Sequence, residues 1–61
     1  MKIKNNGTGS LTFRRFDTNE NITLSSDEEI ILDKETAQFL LKINSTYVQD
    51  GIQKTLTFIE V

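Results

Sequence analysis

The sequence predicts a mainly β protein with one short helix, an α+β fold of order β-β-β-β-α-β-β in a single domain over residues 1–61. Three observations carry this. Short β-prone runs alternate apolar and polar residues and are separated by turn-forming residues. Asp50-Gly51 joins two such runs, the pair that a two-residue type I′ hairpin prefers. A single stretch of helical spacing begins directly after Asp33, a residue suited to cap a helix.

Taken in order, MKIKN (1–5) is a short strand with Ile3 pointing inwards between two lysines. NNGTG (5–9) supplies turn residues that tolerate positive φ. In SLTFRRF (10–16), alternation places Leu11, Phe13 and Arg15 on one face and Thr12, Arg14 and Phe16 on the other. DTNEN (17–21) is polar, and ITL (22–24) resumes the apolar alternation, so residues 10–24 form a hairpin with a loop of about five residues. SSDEE (25–29) is a second turn and IIL (30–32) a buried short strand.

From Asp33 the pattern changes. Its carboxylate is placed to accept from the amide of residue 35 or 36, and Glu35 in the first turn suits the positive end of a helix. Ala37, Leu40, Leu41 and Asn44 share a face at helical spacing, with Phe39 and Ile43 beside it. The predicted helix runs from Lys34 to Ile43, with Lys42 in its last turn, and Asn44-Ser45-Thr46 ends it. In the last strand Ile52, Leu56 and Phe58 fall on one face, and Thr55, Thr57, Ile59 and Val61 on the other. With both faces partly apolar, that strand is expected to be central or to meet a partner. The whole is expected to form a small curved antiparallel sheet or a partly open SH3-like barrel with the helix plugging one end.

Composition narrows the function. A chain of 61 residues buries only about 60% of its unfolded surface, so partner contacts would be a natural source of added stability. There is no cysteine and no histidine, which removes disulfides, thiolate metal sites, and the commonest general base and zinc ligand. No enzymatic activity, cofactor, metal or small-molecule substrate is expected. The net charge is −2, with the seven Lys and Arg scattered as Lys2, Lys4, Arg14, Arg15, Lys34, Lys42 and Lys54. That is not the basic footprint of phosphate-backbone binding, so nucleic acid is not expected as the main partner. No apolar signal region precedes residue 10, and no apolar run is long enough to span a membrane. The Asn-x-Ser/Thr triplets at Asn6, Asn21 and Asn44 are read as coincidental.

The segment ITLSSDEEIILDKETAQFLLKIN (22–44) carries a resemblance. Lys4-Asn5-Asn6, Leu24, Glu28, Ile30 and Leu32, Asp33, Glu35-Thr36-Ala37 and Leu40-Leu41-Lys42 follow one layout. Its parts are an opening strand, a hairpin, a leucine-plus-turn element, an alternating strand, an acidic cap and an ETAxxLL helix. In this the chain resembles small structural and accessory modules of tailed bacteriophages over roughly residues 1–44. It departs at Ser25-Ser26-Asp27, where that family carries Pro-Gly. The resemblance implies a non-enzymatic head, connector or tail component of a virion, assembled in the bacterial host cytoplasm. Other virion proteins or copies of itself would be its partners, and it brings no catalytic residues to carry over.

The remaining motifs are weighed on their chemistry. Ser25 to Glu29 lacks the glycine-kinked oxygen cage of a calcium loop and reads as a solvated turn. Asp33 and Glu35 read as helix-end residues rather than an acid–base pair. Gly7-x-Gly9 lacks the strand-to-helix setting of a dinucleotide fingerprint, and nothing sets a base beside Tyr47. Phe13-Arg14-Arg15-Phe16 reads first as a strand with one face in the core and arginine stems covering the other. It is also the patch best suited to a partner, because arginine and aromatics are enriched at interfaces and alternation leaves one phenylalanine off the inner face. The candidate protein interface is therefore Phe13, Arg14, Arg15 and Phe16, together with Thr57, Ile59 and Val61 on the outer alternation of the last strand. Strand addition would need residues 10–16 or 52–61 to form an open edge. Two other readings compete with a structural role: a small phage-encoded or bacterial regulator of a host enzyme, and single-strand nucleic-acid binding through the Phe-Arg-Arg-Phe patch.

Overall fold

The computed structural model describes every residue from Met1 to Val61. Its elements are β1 (Lys2–Asn5), β2 (Leu11–Arg14), β3 (Asn21–Leu24), β4 (Glu29–Ile31), α1 (Lys34–Leu41), β5 (Asn44–Gln49) and β6 (Ile52–Glu60). The expected order and fold class are the observed ones. Four strands form one antiparallel sheet in the order β4-β1-β6-β5, while β2 and β3 pair only with each other. The sheet does not close into a barrel. The β2–β3 hairpin packs over its inner face instead of joining an edge, so β4 and β5 remain as borders.

The inner layer follows from period-two alternation. Ile3 of β1 is fully buried, and Ile30 and Phe58 of the neighbouring strands turn the same way. Ala37 and Leu40 of α1 press onto them, with Phe13 and Leu24 of the hairpin completing the core. Every one of these residues lies on one side of the sheet. The strand β6 is central in the sheet order, held by β5 from Ile52 to Thr57 and by β1 at Phe58 to Glu60. Asn6, Thr8 and Gly9 extend that second flank by donating to the carbonyls of Thr57 and Thr55.

Asn5 also faces inwards and is completely buried. Its side-chain amide donates to the carbonyls of Gly9 (2.9 Å) and Leu24 (3.0 Å), and its oxygen accepts from the Gly7 N–H (3.0 Å). One side chain thus fastens the loop after β1 to the end of β3. Gly7 sits so close to β6 that a Cβ there would overlap the Thr55 carbonyl.

The helix begins as its cap predicts. Asp33 Oδ2 accepts from the Thr36 N–H (3.1 Å) and Oδ1 from the Thr36 hydroxyl (2.6 Å). The buried Thr36 oxygen in turn accepts from the Phe16 N–H (2.8 Å), so the cap also ties α1 to the hairpin loop. The helix stops at Leu41, two residues earlier than expected, with Lys42 as its C-cap rather than part of its last turn. Tightened bonds from the N–H groups of Lys42 and Ile43 to the carbonyls of Phe39 and Leu40 close it. Asn44-Ser45-Thr46 opens β5 because β6 offers those residues a ladder, Asn44 facing Thr57. Residues 30–32 are likewise not a buried strand. β4 is an edge: Ile30 is half-buried and Ile31 is 71% exposed, leaving only Leu32 buried beyond the strand end.

The turns match their residues. Asp50 and Gly51 both have positive φ (54° and 75°), as a type I′ hairpin requires. Asp27 has φ 67° as third residue of the turn closed by the Glu28 N–H on the Ser25 carbonyl (3.1 Å). A turn therefore stands where the family resemblance places Pro-Gly. Beyond Lys54, the tips of β5 and β6 pair only with each other and project as a two-stranded arm.

Candidate protein interface

The seven candidate residues divide between two sides of the molecule. Thr57, Ile59 and Val61 do share the outer face of the sheet, on which no other element packs. On that face Lys4 stands between Glu29 and Ile59 as direct cross-strand neighbours, and Lys2 stands beside Ile31. Val61 donates its N–H to the Lys2 carbonyl (2.9 Å). Ile31, Ile59 and Val61 are 71%, 39% and 53% exposed. The lysine stems run among them, and Lys2 reaches Glu29 in an exposed ion pair of 3.0 Å. The result is an apolar patch interrupted by cations on a face with no internal cover. Thr57 is half-buried, and its carbonyl accepts from the Asn6 N–H (2.8 Å).

The Phe-Arg-Arg-Phe segment lies on the opposite layer. Phe13 is a core residue, only 6% exposed, and is not available to a partner. Arg15 is engaged by Asp17 through two parallel bonds, Nε to Oδ1 and Nη2 to Oδ2, each 3.0 Å. That fork raises the Arg15 pKa and lowers that of Asp17, the side-chain hydrogen bonds being the main cause in both. Arg14 is exposed and belongs to no ion pair. Phe16 is half-exposed and packs on Phe39 of α1, ring centroids 5.7 Å apart and tilted by 46°. These rings, with Leu11, Arg14 and Ile43, line an open groove of about 310 Å³ between β2 and α1. With Phe13 in the core and Arg15 held by Asp17, one unpaired guanidinium and one ring pair remain, a sparse platform for stacking bases.

The two edges proposed for strand addition also part company. The terminal strand is interior in the sheet order, with β5 along Ile52 to Thr57 and β1 along Phe58 to Glu60, so it is not a free edge along its length. Its partly apolar outer alternation belongs to a central strand. β2 has one unpaired border, the side turned towards the groove. Sequence reasoning overlooked Ile31, which the reading of residues 30–32 as fully buried concealed, and Phe39, which was placed beside the helix's inner face. It also overlooked β5, whose composition of Asn, Ser, Thr, Tyr, Val and Gln without a charge was itself a signal.

A second open hollow of about 410 Å³ is bordered by Phe16, Asp17, Asp33, Lys34 and Glu35. Asp33 is occupied as the helix cap and Asp17 by Arg15, so these carboxylates serve the structure that surrounds them. No family model, curated protein or solved structure matches the chain. The class that the fold defines is a small α+β protein whose sheet is covered on one face and bare on the other.

Proposed function

We propose that this chain is a non-enzymatic structural or accessory component of a larger assembly, acting through sheet-face and sheet-edge contacts. The assembly is a tailed-phage particle, with the chain serving its head, connector or tail. One observation carries the reading: the outer face of the sheet is left bare, with Ile31, Ile59 and Val61 exposed around two lysine stems. A packed surface of this kind gains from being covered, since each apolar Å² removed from water is worth about 25 cal/mol. The resemblance of residues 1–44 to phage structural modules supports the kind of assembly.

Quantitative mass spectrometry of purified particles tests this. The chain is expected in the particles at a copy number that matches a symmetry of the particle. Absence from particles with abundance in the soluble lysate overturns the proposal and favours the regulator of a host enzyme.

A further inference from the structure

We propose that β5 is the seam of a homodimer, in which two copies pair their β5 strands antiparallel about a twofold axis through Thr46. This rests on the reading of the chain as an assembly component and names one of its partners, a second copy of itself.

The seam is open. A two-residue turn makes Gln49 and Ile52 a hydrogen-bonded pair, so Tyr47 and Ser45 also bond to β6. Asn44, Thr46 and Val48 then turn their N–H and C=O groups away from the sheet, and none of these groups has another main-chain partner. All three residues are exposed.

The seam is also unprotected. Proteins blunt sheet borders with shortness, charge or proline. The opposite border, β4, has three residues and one of them is Glu29. The border of β2 carries Arg14. β5 is six residues long and contains no charge, proline or glycine.

Self-complementarity selects the occupant. When the three outward residues of one strand meet those of the other, Thr46 faces Thr46 and Asn44 faces Val48 of the second copy. No like charges oppose, and a Thr–Thr cross-strand pair is favourable. The facing pairs supply about six main-chain hydrogen bonds, two for each of three pairs. Lys42, the helix C-cap just before β5, and Asp50, in the turn just after it, flank the seam, so this register sets opposite charges near each end. Neither residue has an ion-pair partner within one chain. A register slipped by two residues breaks this charge match and leaves an outward residue unpaired. The four strands of each copy then form one continuous sheet, and its outer face presents the Ile31, Ile59 and Val61 patch twice.

The test is the mass in solution of the intact 7.0 kDa chain over a concentration series, with Thr46→Lys and Thr46→Glu beside it. Each substitution sets like charges across the axis at an exposed position. The wild type is expected at twice the chain mass. Each variant alone should dissociate at least about tenfold more readily, with a melting curve like that of the monomer. An equimolar mixture of the two should restore the dimer, since Lys then faces Glu. A wild type that is monomeric throughout overturns the inference, as does a Thr46→Lys chain that dimerises undiminished. Folded variants whose mixture stays monomeric also overturn it. Particle mass spectrometry remains independent: a chain counted in particles yet monomeric in solution sinks the seam and spares the assembly reading. A dimer absent from every particle does the reverse.

Discussion

At Asn5 the chain buries a side-chain amide and leaves nothing unpaired, whereas along β5 it exposes a row of main-chain groups with no partner within the chain. The Asn5 amide makes three bonds, and its main-chain N–H and C=O are matched to Glu28 and Asp27. A polar group in that position costs about 1–3 kcal/mol if its partner is lost, so the joint tolerates one arrangement. The outward groups of Asn44, Thr46 and Val48 belong to exposed residues, and exposure sets no such penalty. The difference separates two tasks. Residues that define the fold gather where water is excluded, and groups free to recognise another strand stand where water is the only competitor.

Substitutions break or sharpen this contrast in graded fashion. Asn5→Leu strands the Gly7 N–H and the Gly9 and Leu24 carbonyls together, and should cost about 3 kcal/mol or more in a urea titration. A loss under about 1 kcal/mol would mean that the joint admits water. Gly7→Ala drives a methyl into the Thr55 carbonyl, main chain against main chain. Its expected cost is about 1–3 kcal/mol by the same titration. Asp33→Ala removes the acceptor of both Thr36 bonds and should cost about 0.5–2 kcal/mol, seen as a lower melting midpoint. On the arm, Ile52→Gln alters a residue already 58% exposed. Its thermal midpoint should correspond to a change within about 0.5 kcal/mol. A large loss there would show that the arm contributes to the body after all.

Much of the fold was legible because its signals are local. Asp50-Gly51 encodes a two-residue turn, Asp33 encodes a helix start, and residues 10–24 encode a hairpin, each within a few residues. The joint was not legible. Asn5 beside Asn6-Gly7 has the composition of a turn, and its burial depends on Leu24, nineteen residues away. The helix end was misplaced because Ile43 continues the apolar period by coincidence, and only the register with β6 shows that a strand takes over at Asn44. The same limit applied to the interface. Alternation placed Thr57, Ile59 and Val61 on one face, yet it carries no information about whether another layer covers that face. Nor does it rank strands across a sheet, so the central position of β6 and the open border of β5 emerged only from pairing.

The central placement of β6 governs the order in which the molecule can assemble. β1, at the start of the chain, receives one neighbour from β4 and the other from Phe58 to Glu60 at the far end. Its second flank stays empty until Phe58 to Glu60 pair with it. The β2–β3 hairpin and the β5–β6 hairpin can form from near neighbours, but the sheet is completed only by closing a loop of nearly the entire sequence. Such distant pairing belongs to folding on the millisecond-to-second scale rather than microseconds. The strand β6 is thus the join between a hairpin built from its near neighbours and a strand from the opposite end of the fold.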